Sequence, residues 1–146
     1  FEILGIAGML SAGWVSDKFF RARRGPIMAM YMFLLSFGML AFWLTPAGHP
    51  FVYTAALGVC GFLIYGPLML VSVAAVGFAG KKAAATVSGF TGLCGYMGAV
   101  VSGAGAGWVI DNYGWDAGFI MFIASGALSA CCFALTWNVL PRSLAK

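Results

Sequence analysis

The chain has 146 residues, 62% of them apolar and only 8% charged, with a net charge of +4 and a mean hydropathy of +0.97. A soluble domain carries about 25% charged residues, and a disordered chain combines low hydrophobicity with high charge. Both classes are excluded, and lipid is the solvent that suits this composition.

The chain opens Phe1-Glu2-Ile3, without an initiator Met and without a basic region leading into a cleavable apolar core. It reads as a piece of a longer protein. Residues 1–15 are apolar with small residues interspersed and predict the tail of one membrane span. A charged loop follows, holding Asp17, Lys18, Arg21, Arg23 and Arg24.

From Gly25 to Gly80 there is no Asp, Glu, Lys or Arg. About 20 apolar residues cross a hydrocarbon core about 30 Å thick, so this stretch holds two spans. The run Thr45-Pro46-Ala47-Gly48-His49-Pro50 divides it as a turn, which predicts spans over 26–45 and 51–77. After Lys81 and Lys82 a further span is predicted over 83–110. The turn Asp111-Asn112-Tyr113-Gly114 then leads to a last span over 115–140. The spans are apolar all round, three of them longer than 25 residues, whereas barrel strands alternate over about 10 residues. The fold class is therefore all-α, a polytopic helical membrane protein.

The eight basic residues sit at the ends of apolar runs. They read as topology determinants rather than as a nucleic-acid surface. Loop 17–24, loop 81–82 and the C-terminus carry them, while loops 45–50 and 111–116 carry none. The two sets alternate, and the positive-inside rule puts the basic set in the cytoplasm. Trp43, Trp108, Tyr113 and Trp115 then fall near the opposite face, and Trp14 and Trp137 near the cytoplasmic one.

Cys60, Cys94, Cys131 and Cys132 lie inside apolar runs with no CxxC pair, so they read as small buried hydrophobes rather than metal ligands or disulfides. His49, the sole histidine, reads as a turn residue. No metal site, cofactor site or enzymatic constellation assembles from these residue types.

The 21 glycines point to close helix packing in lipid. In the span 83–110, Thr91, Gly95, Ala99, Gly103 and Gly107 recur every four residues and form one smooth stripe. That stripe suits either static packing or a sliding surface. Tyr65-Gly66-Pro67 falls mid-span, where proline removes a backbone hydrogen bond and kinks a helix. Tyr65 places a hydroxyl near the bilayer midplane, and Tyr96 does the same in the next span. An unpaired hydroxyl is costly there, so two of them suggest a polar cavity.

The segment Gly13-Trp14-Val15-Ser16-Asp17-Lys18-Phe19-Phe20-Arg21-Ala22-Arg23-Arg24 resembles the cytoplasmic loop signature of the major facilitator superfamily, with a slightly longer spacing to its basic cluster. Gly61-Phe62-Leu63-Ile64-Tyr65-Gly66-Pro67, Lys81-Lys82-Ala83-Ala84 and Gly89-Phe90-Thr91-Gly92-Leu93-Cys94-Gly95-Tyr96 resemble segments of its organophosphate:phosphate antiporters. So do Pro46-Ala47-Gly48-His49-Pro50 and Tyr113-Gly114-Trp115-Asp116-Ala117-Gly118-Phe119.

The resemblance implies the C-terminal part of a twelve-helix transporter in a bacterial inner membrane. Residues 1–15 would end its eighth helix, and the four spans would be helices nine to twelve. It implies exchange of an organic phosphate, a glycerol or hexose phosphate, for inorganic phosphate by alternating access. The partners would be these two substrates, membrane lipid and the missing N-terminal helices. Tyr65 and Tyr96 map onto substrate-binding tyrosines. Gly13, Asp17, Lys18, Arg21, Arg23 and Arg24 map onto a conformational-gating loop.

No Lys or Arg lies within any span, so the cations that a phosphate needs in a low-dielectric cavity must come from the missing helices. Asp17 is either a latch, pairing with basic neighbours or with the start of the 83–110 helix when the cytoplasmic side closes, or a solvated loop carboxylate. A sugar-phosphate sensor of the same family is the alternative function. A channel would show polar residues along a whole span face, and only scattered Ser72, Thr86, Ser88 and Ser102 occur.

Overall fold

The computed structural model describes residues 1–20, 23–45 and 50–137. Five helices follow one another: α1 (Glu2–Phe19), α2 (Arg24–Leu44), α3 (Pro50–Ala79), α4 (Ala84–Tyr113) and α5 (Trp115–Leu135), with a 3-10 turn at Lys81–Ala83. No strand occurs among the described residues. Helices α2 to α5 are long and apolar enough to cross a membrane. At about 1.5 Å per residue, even the 21-residue α2 and α5 reach about 31 Å, and α3 and α4 exceed the bilayer core.

Several boundaries differ from the sequence expectation. Asp17 and Lys18 lie in the last turn of α1, because no glycine or proline interrupts the run from Gly13 and the Phe20 amide still bonds to the Ser16 carbonyl. Arg24 likewise is helical, the first residue of α2. Pro26 is accepted there because the first turn of a helix needs no amide donor. Asp111, Asn112 and Tyr113 extend α4 instead of forming a turn, with the Asn112 side chain donating to the Trp108 carbonyl at 2.8 Å. The chain reverses at Gly114 alone, whose φ of +83° is open to glycine at little cost. Gly80, at φ +76°, separates α3 from the 3-10 turn in the same way. The turn at 46–49 with His49, the loop residue Arg21, and the basic residues Arg142 and Lys146 lie outside the described residues.

Successive helices run antiparallel. At the basic end, the start of α2 meets the end of α5, where a Cβ added to Gly25 would lie 2.6 Å from the Thr136 carbonyl oxygen. At the other end, Tyr53 Oη donates to the Thr45 carbonyl at 2.9 Å, and Phe42 packs on Tyr53 and Phe119. Trp43 Nε1 donates to Asp116 Oδ1 at 2.9 Å. Helix α1 packs on α3, α2 lies against both α3 and α5, and α4 touches its chain neighbours α3 and α5.

The core forms where α1, α2 and α3 meet, around Ala12, Ile27, Met28, Tyr31, Leu35, Cys60, Leu63 and Leu70. Close packing by small residues is the attraction available between helices in lipid, and α1 and α3 use it. The buried stripe of α1 is Gly5, Gly8, Ala12 and Ser16. It faces Gly58, Gly61 and Gly66 of α3 so closely that a Cβ at Gly8 would overlap the Phe62 carbonyl. A Cβ at Gly61 would lie 2.6 Å from the Phe1 carbonyl oxygen, and one at Gly66 2.8 Å from the Tyr31 ring.

Two sequence readings change here. The glycine stripe of α4 meets no helix: a Cβ at Gly95, Gly103 or Gly107 would have nothing within 4 Å among the described residues. Of the cysteines only Cys60 is buried, with its thiol 3.8 Å from Met39 Sδ. Cys94, Cys131 and Cys132 are exposed, Cys131 at an open apolar groove between α2 and α5.

Candidate functional site

Tyr65 stands at the middle of α3, half-buried, on the side turned to α1. Its ring passes over Gly5, where a Cβ would come within 2.5 Å, and meets the Phe1 ring edge-on at 5.7 Å. The bare glycine backbone lets the phenol lie across α1. Its Oη then donates to Glu2 Oε2 at 2.6 Å, the length of a hydrogen bond to an ionised acceptor. Since Phe1 touches Gly61 and Gly5 touches Tyr65, Glu2 sits level with the middle third of α3. Glu2 is exposed among the described residues, and a carboxylate level with the middle of a membrane-spanning helix is rare and usually functional.

Glu2 is not among the site residues that the sequence points to. The signal that would have found it is the Tyr65 hydroxyl, which needed a partner at mid-helix.

Tyr96 stands at the middle of α4 and is 79% exposed. It lines a shallow apolar groove with Leu93, Met97, Val100 and Val101, all from its own helix. Neither a ring contact nor a hydrogen bond joins Tyr65 to Tyr96 among the described residues. Directly after Tyr65 come the buried Gly66 and Pro67, and α3 continues past them unbroken to Ala79. Pro67 has no amide hydrogen, so the Leu63 carbonyl lacks its usual partner four residues on. The missing Cβ of Gly66 makes room for Tyr31, whose hydroxyl meets Ser11 Oγ at 3.1 Å and whose ring stacks on Phe62 at 6.1 Å.

At the basic end, Asp17 is exposed on the last turn of α1. The partial negative charge of a helix C-terminus disfavours a carboxylate there and favours a cation. Lys18, its neighbour, lies with Nζ 4.6 Å from the centre of the Trp14 ring, a cation–π contact on one helix face. Gly13 sits against Met69 of α3, where a Cβ would find ordinary contact at 3.5 Å. Ser16 is buried with 1% of its surface exposed, and its Oγ has no hydrogen-bond partner among the described residues. Arg23 precedes α2 in extended conformation, and Arg24 tucks between α2, α3 and α5.

No family model matches the chain. Among curated proteins it is 44% identical to the glycerol-3-phosphate transporter of Bacillus subtilis (strain 168), over 98% of this chain and 32% of that protein. It is 36% identical to the membrane sensor protein UhpC of Escherichia coli (strain K12), over 89% of this chain and 30% of that protein. With the hexose-6-phosphate:phosphate antiporter of Salmonella typhimurium (strain LT2) it shares 31% identity, over the whole chain and 32% of that protein. The chain thus spans about a third of the length of the relatives it matches.

Proposed function

Because the chain belongs to the organophosphate:phosphate antiporter family of the major facilitator superfamily, we propose that it is the C-terminal part of a secondary active transporter. That transporter exchanges an organic phosphate, glycerol-3-phosphate or a hexose phosphate, for inorganic phosphate by alternating access. The observation that carries the reading is the 44% identity to a glycerol-3-phosphate transporter along nearly the whole chain. The open glycine stripe of α4 supports it, since a row of small residues in a membrane helix suits the close approach of another helix.

The basic end lies in the cytoplasm of a bacterial inner-membrane protein, by the positive-inside rule. The C-terminus follows it there. The phenols of Tyr65 and Tyr96 line the substrate path and donate hydrogen bonds to phosphate oxygens. The cations come from helices outside this chain, because α3 and α4 hold none between Ala83 and Ile110 or between Pro50 and Ala79. Glu2 repels a phosphate, so one of those cations must also stand beside its carboxylate. Tyr65 then has two acceptors, Glu2 when the path is empty and the phosphate when it is filled. Gly66 and Pro67 give α3 a weak point at that level for rocking. Asp17, with Gly13, Lys18, Arg21, Arg23 and Arg24, gates the cytoplasmic side, pairing with a cation or with the start of α4 when that side closes.

The test is counterflow in proteoliposomes holding the full-length protein. Vesicles loaded with inorganic phosphate should take up labelled glycerol-3-phosphate or glucose-6-phosphate, and unloaded vesicles should not. A second reading, a sugar-phosphate sensor, draws on the 36% identity to a membrane sensor protein. Ligand binding without any counterflow would favour it.

A further inference from the structure

The basic end of the bundle holds a second feature, remote from Tyr65. The first turn of α2, the last turns of α3 and the end of α5 enclose a cleft of about 240 Å³. Its walls are Met28, Ala74, Ala75, Phe78 and Phe133, and its one charged group is Arg24. The Nε and Nη1 atoms of Arg24 are buried and have no hydrogen-bond partner among the described residues. A guanidinium cannot shed its charge, and buried donors without acceptors are costly enough that native proteins supply a partner. The alanines at 74 and 75 keep the trough open. Phe78, 41% exposed, stands at its rim.

We propose that this cleft binds an anionic phospholipid, with the headgroup phosphate on Arg24 and the upper acyl chain in the trough between α3 and α5. Two features select this occupant. The cation demands an anion with several acceptor oxygens, which a phosphodiester provides. The remaining lining is almost wholly apolar, which a free phosphate does not use and an acyl chain does. Arg24 also stands beside Arg23 and at the same end as Lys18 and Lys82. Clustered basic residues at a helix end favour anionic over zwitterionic lipid.

Native mass spectrometry of the full-length protein in detergent tests this without reference to transport. The protein is titrated with phosphatidylglycerol, phosphatidylcholine and inorganic phosphate. Phosphatidylglycerol adducts should exceed phosphatidylcholine adducts by about fivefold, the worth of one well-placed basic residue. Arg24→Gln should abolish that preference and Arg24→Lys retain part of it. Ala75→Leu, which fills the trough and keeps the charge, should reduce phosphatidylglycerol adducts as well. Retention of a single species on size exclusion checks that each variant is folded. Equal binding of the two lipids by the unaltered protein, an unchanged preference in Arg24→Gln, or undiminished phosphatidylglycerol adducts in Ala75→Leu would overturn the proposal. So would full displacement of the lipid by inorganic phosphate, which would make the cleft a simple anion site.

Discussion

The Tyr65 hydroxyl donates to the Glu2 carboxylate at 2.6 Å, tying the middle of α3 to α1 across the bare backbone of Gly5. The bond sets a phenol donor and a carboxylate side by side at the level of the middle of α3.

Tyr65→Phe removes the donor and keeps the ring packing on Gly5 and Phe1. In the full-length protein it should lower kcat/KM for the organic phosphate roughly tenfold, the scale of one hydrogen bond to a charged group, with no loss of folded protein. Initial rates of counterflow measure this. Glu2→Gln separates the two roles. If Tyr65 is held ready by Glu2, both variants slow exchange. If Glu2 only anchors the ring, Glu2→Gln leaves the rate unchanged.

The glycines divide into two groups with opposite expected behaviour. Gly8→Ala sets a methyl group against the Phe62 carbonyl and forces α1 off α3, an overpacking cost of about 1–3 kcal/mol. Gly103→Ala meets nothing in the described residues and should change the stability of this chain by less than about 0.5 kcal/mol. Unfolding in mixed micelles, followed by far-ultraviolet circular dichroism, compares the two. The same Gly103→Ala change in the full-length protein reports whether another helix lies on the stripe. A loss of stability there but not in the isolated chain marks a covered face.

Much of this arrangement was legible in the residues. The uncharged runs give the long helices, and the alternation of basic and non-basic loops gives two distinct ends. Local chemistry blurred the boundaries. Asp17, Lys18 and Asp111 to Tyr113 look like loop because they are polar, yet nothing in their backbones stops a helix, and the chain turns at the positive-φ glycines Gly80 and Gly114 instead. The close-packed stripe was harder to find. Gly5, Gly8, Ala12 and Ser16 follow helical spacing, but they lie in a segment read only as a tail, and the more regular stripe on α4 drew attention. The pairing of Glu2 with Tyr65 spans 63 residues and depends on how α1 lies against α3. No local pattern encodes that contact.

Trp43 and Asp116 hold α2 to α5 at the end away from the basic residues. Trp43→Phe keeps an aromatic ring against Phe119 and deletes the donor. It should cost about 0.5–1.5 kcal/mol, seen as a lower denaturation midpoint with an unchanged slope. An unchanged midpoint would mean that water replaces the contact without loss.

Asp17→Asn removes a carboxylate from a helix C-terminus, where it is electrostatically disfavoured. Folding stability should therefore be unchanged or slightly raised. If Asp17 is the proposed latch, the exchange rate should fall, because the closed cytoplasmic state would lose a charge pair. Counterflow rates and maleimide access to a cytoplasmic-cavity cysteine check both halves. An unaltered rate with unaltered access would reduce Asp17 to a solvated surface charge.

The arrangement of the bundle in the bilayer is tested most directly at the two ends of α4. Single cysteines at Lys82 and Tyr113, in a full-length protein with its native cysteines replaced, are labelled with a membrane-impermeant maleimide in intact cells and in inverted vesicles. Lys82→Cys should react only in inverted vesicles and Tyr113→Cys only in intact cells. Reaction of both from the same side would contradict a membrane-crossing α4, and with it the alternating-access reading.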